Sequence, residues 1–134
     1  MKFILSSRIF ITLIIGLMLS ACVGTSSKLI DTSWKLTDLN GQKLPAEIQI
    51  TLIINKDTAG GNSACNSYGS DFTQKGEKLS FSQIFSTMMY CEKGMEFETD
   101  YLSALGKIKT FQLENDQLSL LDDTGNVVLI FIKS

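Results

Sequence analysis

The stretch GGNSACNSYGSDF, Gly60 to Phe72, sets a cysteine and an asparagine among small, turn-forming residues, in a chain of 134 residues that has no histidine. Three readings open from it: a reactive loop, a metal or phosphate site, or one half of a structural staple. The choice turns on compartment, because paired cysteines are kept reduced in the cytosol and become oxidised outside it.

The N-terminus supplies the compartment. Lys2 and Arg8 form a basic region, Ile9 to Leu19 an apolar one, and Leu19-Ser20-Ala21-Cys22 a small-residue cleavage site ending in cysteine. This is the pattern of a secretory signal with a lipobox. As a helix, the apolar run would reach only about 16 Å, roughly half the hydrocarbon thickness of a bilayer, which argues against a permanent span. It is similar to bacterial lipoprotein precursors, and that resemblance implies cleavage before Cys22, a thioether-linked diacylglyceryl group on its sulfur and acylation, typically with palmitate, of the new amino group. Val23 follows where an aspartate would resemble an inner-membrane retention signal, so an outer-membrane, periplasm-facing location is expected.

The organisation expected is a signal peptide over 1–21, lipidated Cys22 with a flexible tether over 22–28, and one domain over 29–134. The chain carries 14 acidic and 12 basic residues, and loss of Lys2 and Arg8 with the signal leaves the remainder more acidic. No basic stripe suggests nucleic acid, and an acidic domain is not drawn to anionic lipid, so the anchor is the expected membrane contact.

From Ser33 onward, short alternating or apolar runs are separated by turn residues, as in an all-β sandwich or barrel. Trp34 and Leu36 share one strand face, and Asn40-Gly41 is a hairpin signal. Ile48, Ile50, Leu52 and Ile54 alternate in a second strand. Gly60-Gly61 reads as a break before a strand around Cys65 to Phe72. Lys75-Gly76-Glu77, Asn115-Asp116 and Asp122 to Asn126 read as further turns. The last run, VVLIFI from Val127 to Ile132, is apolar on both faces and calls for cover on both. One interlude, Met95 to Ile108, places Phe97, Tyr101, Leu102, Leu105 and Ile108 at helical spacing, with Glu96, Glu98, Asp100 and Lys107 assigned to the other face. The helix reads as a lid or plug on the sheet.

With Cys22 lipidated, Cys65 and Cys91 are the only thiols left in an exported domain, and a disulfide between them is the first reading. Closing a loop of that length removes about 3 to 4 kcal/mol of denatured-chain entropy in the simplest treatment. The staple is therefore the answer that the stretch itself favours.

The same residues carry a family resemblance. Trp34 and Leu36 are followed by Gly61, Cys65, Asn66, Tyr68, Ser70 and Phe72, then by Thr87, Met89 and Cys91, a helix opening with Met95-Glu96, and a closing hairpin through Leu118 and Leu120 that ends near Phe131. In order and spacing this resembles the META or HslJ-like domain of bacterial lipoproteins, over about Leu29 to Lys133. The resemblance implies a mainly β (α+β) fold, a curved antiparallel sheet or cracked β-barrel of about eight strands with one α-helix. It also implies a structural Cys65–Cys91 pair, a structural signature at Trp34, Gly61, Asn66, Thr87, Met89 and Glu96, and links to envelope stress and antibiotic tolerance. Tyr90 stands where a small residue is common.

The residue types present disfavour sharper chemistry. Without histidine there is no His-dependent triad, zinc cage or imidazole base. Asp123-Thr124-Gly125 echoes the motif of retropepsin-like proteases, but its residues are turn formers between strands. Met88, Met89, Cys91 and Met95 would suit Cu(I) only with a free thiolate. Gly60 to Ser63 lacks the lysine and helix of a P-loop. Asn66 reads as a residue bonding neighbouring backbone at a bulge, and Glu96 and Glu98, two apart on a helix, do not converge. The expectation is a non-catalytic binding or assembly module without cofactor or metal. It is expected to be a monomer whose partner is an envelope protein. The alternatives are a carrier of a small apolar ligand or acyl chain, or a pilot-like chaperone of an outer-membrane protein, with a groove edged by Phe97 or Tyr101. A wide apolar patch beside the helix would favour the partner, and a closed apolar cavity the ligand.

Overall fold

A computed structural model describes residues 28–134. The signal peptide, Cys22 and the tether up to residue 27 lie outside the described residues. Among the described residues no helix is long and apolar enough to cross a membrane.

Nine strands and one helix follow in order: β1 (Thr32–Leu39), β2 (Gln42–Lys43), β3 (Thr51–Ile54), β4 (Thr58–Asn62), β5 (Ser67–Lys75), β6 (Lys78–Ser86), α1 (Met95–Leu105), β7 (Thr110–Glu114), β8 (Gln117–Leu121) and β9 (Val127–Lys133). All pairings are antiparallel. Because β1 pairs with both β3 and β9, eight strands close into a barrel, and β2 hangs on β1 as the ninth. The expected eight strands are thus the barrel itself.

The hairpin turns follow from local chemistry. Asn40 and Gly41 both take positive φ, 50° and 82°, and reverse β1 into β2. Gly76 turns β5 into β6, and Asn115 turns β7 into β8. The Asp122–Asn126 turn is held by the Asp122 carboxylate. It accepts bonds from Thr124 N, Thr124 Oγ1 and Asn126 N, and the Thr124 hydroxyl is the first cause that lowers its pKa. Asp123-Thr124-Gly125 is therefore a turn.

Side chains fill the barrel interior. Trp34, Leu36, Leu52, Ile54, Tyr68, Phe72, Phe81, Leu118, Leu120, Leu129 and Phe131 are all buried in one cluster, joined by Tyr101 and Leu105 of α1. Along β9, Leu129 and Phe131 point inward. The outward residues are only partly covered, with Val127 and Ile132 exposed, so the expected second cover of that strand is incomplete. The barrel is nearly split elsewhere: β6 and β7 share one ladder pair, Lys78↔Thr110.

Three expectations are corrected. Gly60-Gly61 is no break but the middle of β4, and the following strand begins at Ser67, leaving Cys65 and Asn66 in the connecting loop. The second strand starts at Thr51, with Ile50 only bridging to Ser63. The helix ends at Leu105, because Gly106 caps it while Ile108 packs into the core beyond.

The glycine pair is in a strand for a steric reason. Gly61 has φ +155°, and a Cβ there would sit 2.4 Å from the Thr51 carbonyl oxygen. Gly41, with nothing within 4 Å of its would-be Cβ, lacks the second constraint. Gly61→Ala should therefore lower unfolding free energy by about 2 to 4 kcal/mol, against about 1 kcal/mol for Gly41→Ala, as read from urea denaturation midpoints.

Candidate functional site

The conspicuous chemistry gathers at the barrel end where α1 lies. Cys65, in the β4–β5 loop, is disulfide-bonded to Cys91, in the segment between β6 and α1, with Cα atoms 5.7 Å apart. Gly94, the helix N-cap, is seated against this bond. A Cβ there would come 2.6 Å from one sulfur and 2.7 Å from the other. A side chain at position 94 would push the helix away from the staple. Cys91, being bonded, offers no thiolate to copper, and Met88 and Met89 project to solvent.

Next to the staple, Asn66 is buried and uses its whole amide. Oδ1 accepts from Thr87 Oγ1 at 2.8 Å and from Met89 N at 2.7 Å. Nδ2 donates to Met89 O at 3.0 Å and to Glu98 Oε2 at 2.8 Å. All four bonds of which a carboxamide is capable here are made. The side chain meets the N–H and C=O of Met89 together, as the backbone of a neighbouring strand would. Thr87 N donates to Ser67 O, so this surrogate pairing continues the β5–β6 ladder past its end. The expectation that Asn66 bonds adjacent backbone is corrected: its partners lie more than twenty positions away.

Glu98 completes the cluster. Placed on the solvent face by the sequence reading, it is 5% exposed. Its Oε1 accepts from Ser63 Oγ at 2.5 Å and from Asn66 N at 3.0 Å. A buried carboxylate held by several donors is a structural clamp between α1 and the β4–β5 loop. The signal was present in the spacing, since Glu98 precedes Tyr101 and Leu105 by three and seven positions and so lies on their stripe. Glu96, one turn-face away, is exposed beside Phe97 and Asp100 in a small cleft. The two carboxylates diverge, as the spacing required.

Deeper in, Tyr68 donates to Thr51 O at 2.7 Å and lies 2.6 Å from the Tyr101 hydroxyl. A phenol has one proton and a carbonyl only accepts, so Tyr101 is the donor to Tyr68. Burial raises the pKa of both phenols. For Tyr101 the neighbouring Tyr68 adds to the rise, whereas the bond Tyr68 receives partly offsets its own. Trp34 and Gly61 of the signature stand on β1 and β4 as packing and close-approach residues, outside this cluster.

The exterior differs. Phe85 is 69% exposed, Met88 96%, Met89 64% and Tyr90 80%. They make an apolar tract along the chain, from the end of β6 into the segment leading to the disulfide, with Met88 and Tyr90 on one face and Phe85 and Met89 on the other. Surface clefts of 160 to 400 Å³ lie elsewhere, at the β7–β8 turn, beside the exposed side of α1 and around the β1–β2 hairpin. Tyr101, expected at a groove edge, is fully buried, and Phe97 is half-buried. Among the described residues no group of three or more His, Cys, Asp or Glu side chains is placed to hold a metal ion.

Residues 27–134 match the family model of the META domain. Among solved structures, the chain is similar to an NMR structure of a protein from Burkholderia xenovorans, at 33% identity over 79% of this chain and 83% of that one, with a TM-score of 0.65. A second NMR structure aligns at 17% identity over 76% and 88% of the two chains, TM-score 0.60. A crystal structure of a DUF4847 family protein from Bacteroides vulgatus ATCC 8482 aligns at 12% identity over 78% and 93%, TM-score 0.60. The last two share the fold. No curated protein matches the chain.

Two outcomes are expected from this geometry. Asn66→Ala should cost about 2 to 4 kcal/mol in urea denaturation, because it strands Met89 and removes a donor from buried Glu98. Asn66→Asp, which turns that donor into a second acceptor, should cost no less at neutral pH. The raised tyrosines give a base-side limit. Below the unfolded-state pKa of about 10 their contribution to stability is complete, and it is lost as pH rises past that value. In a Tyr90→Phe background, tyrosinate absorbance at alkaline pH should therefore appear together with loss of the folded circular dichroism signal, not before it.

Proposed function

The chain belongs to the META domain family, and on that premise we propose that it is a non-catalytic envelope lipoprotein whose domain binds a protein partner in the periplasm. The observation that carries this is the exposed apolar tract of Phe85, Met88, Met89 and Tyr90 on a domain whose interior is occupied by its own side chains. Exposed apolar tracts flanked by polar surface are how soluble domains meet partners. The carrier alternative would place its ligand in the barrel axis, where Trp34, Tyr68, Tyr101 and Phe131 pack together.

The orientation suits that role. Lys28 and Leu29 enter beside Thr32, at the start of β1, which pairs with the end of β3. Ile50, Ser63, Ser67 and Ser86 lie toward the other end, reached across β3, β4, β5 and β6. A lipid anchor on Cys22 would hold the first end near the membrane and leave the tract directed toward the other rim.

The polar clamp beneath the tract supports binding over catalysis. Asn66 and Glu98 are committed to each other and to backbone, and the Ser63 hydroxyl that lies against the Glu98 carboxylate is fully buried, out of reach of a substrate. A link of this binding to envelope stress or antibiotic tolerance belongs to the same proposal.

Photo-crosslinking in intact cells tests it. With a benzophenone amino acid at position 90 a discrete protein adduct is expected, and with the same group at position 56, in the β3–β4 turn, none. A lipid or small apolar adduct at position 90 would favour the carrier. Lipidation is tested separately: palmitate labelling should mark the natural chain and be lost in Cys22→Ala, and labelling that survives would overturn the anchor.

A further inference from the structure

Resting on the reading of the domain as a partner-binding module, we propose that the segment Ser86–Tyr90 is a preformed strand edge onto which an extended segment of the partner adds as a new β-strand. The partner chemistry this calls for is a backbone free to pair, with apolar side chains at alternate positions.

The argument starts from which way the backbone faces. In an antiparallel ladder, successive residues turn their N–H and C=O groups to opposite sides. Phe85 pairs with Gly69, Thr87 N donates to Ser67 O, and Met89 is met on both its backbone groups by the Asn66 carboxamide. Those three residues are therefore committed to the β5 side. Ser86, Met88 and Tyr90 turn their backbone groups the other way. There the neighbour in the barrel order is β7, but its only ladder pair to β6 is at Lys78, the opposite end of the strand. No described residue gives the backbone of Ser86, Met88 or Tyr90 a partner.

Exposed edges of this kind are normally blunted by charge, proline or a covering element. Here Gln83, with φ 51°, makes a bulge just before the segment, and beyond it the edge carries neither charge nor proline as far as Tyr90. It carries instead the most exposed large apolar side chains of the described chain, Met88 and Tyr90, with Phe85 and Met89 on the alternate face. Apolar contact and unpaired backbone coincide over the same five residues.

The segment is also held rigid. The Cys65–Cys91 bond fixes one end, the β5 ladder the other, and Asn66 the middle. Ordering cost on binding falls on the partner alone. This gives a role to a buried amide that copies a strand: it keeps residues beyond the end of β6 extended so that their far side can be read.

The test uses the full chain in lipid nanodiscs and a capped heptapeptide, Thr-Val-Thr-Ile-Thr-Val-Thr, alongside the same peptide N-methylated at alternate residues. N-methylation on the pairing side removes backbone donors while leaving the side chains in place. Isothermal titration and amide exchange are expected to show binding by the plain peptide, protection of the Ser86, Met88 and Tyr90 amides, and about tenfold weaker binding when the methyl groups fall on the residues whose N–H groups face the edge than when they fall on the alternate set, whose N–H groups point away from it. Met88→Pro, which blocks the edge at a residue whose N–H holds no bond, should weaken the plain peptide by about the same factor, and Met88→Ala by no more than about twofold. Equal binding of plain and methylated peptides would overturn strand addition while leaving partner binding in place. So would absence of peptide binding when the position 90 adduct still forms in cells, and loss of both would overturn the two readings together.

Discussion

Four hydrogen bonds made by one buried carboxamide hold the α1 end of this domain together. Asn66 links the β4–β5 loop to the segment after β6 and, through Glu98, to the helix. Regular ladder pairing ends at Ser86, and beyond it the loop, the extended segment and α1 are joined by the Thr87 N–H to Ser67 O bond and by side chains. The disulfide and Gly94 act on the same junction: the covalent bond limits how far the loop and segment can separate, and the glycine lets the helix start close against it. A buried amide surrounded by complementary partners favours one arrangement over near alternatives, because any shift leaves donors or acceptors without water and without partners.

Below that junction the barrel depends on close approach and filling. Gly61 lets β4 come against Thr51, and the hydroxyl chain from Tyr101 through Tyr68 to Thr51 O ties the helix to the same point of β3 from inside. The helix is thus fastened twice, by Glu98 near its start and by Tyr101 one turn later, with Leu105 and Ile108 continuing into the core. A plug attached by polar groups at one end and apolar groups at the other has its rotation about its own axis fixed as well as its position.

Much of the fold was legible because it is written in short-range signals. Asn40-Gly41, Gly76 and Asn115 mark turns by the φ values they tolerate, and the alternation of Trp34 with Leu36 and of Leu118 with Leu120 marks the inward faces. The glycine pair misled for the same local reason: Gly60-Gly61 reads as punctuation until Thr51, ten positions away, is known to press against it. Glu98 was misplaced because charge was given more weight than spacing, although its position relative to Tyr101 and Leu105 put it on the buried face. The double role of Asn66 was beyond a reading along the chain, because its partners come from the segment after β6 and from α1, whose proximity only the closed barrel creates.

The single-pair contact between β6 and β7 gives the domain an uneven mechanical character. Most other seams of the barrel must break four or more ladder pairs to open, whereas this one holds a single pair, flanked by the Leu79 N–H to Lys109 O and Phe111 N–H to Glu77 O bonds. Thermal fluctuations large enough to part the wall will therefore concentrate along that line, while β8, β9 and β1, with Tyr101 of the helix packed on Phe131, stay together as the stiff back of the molecule.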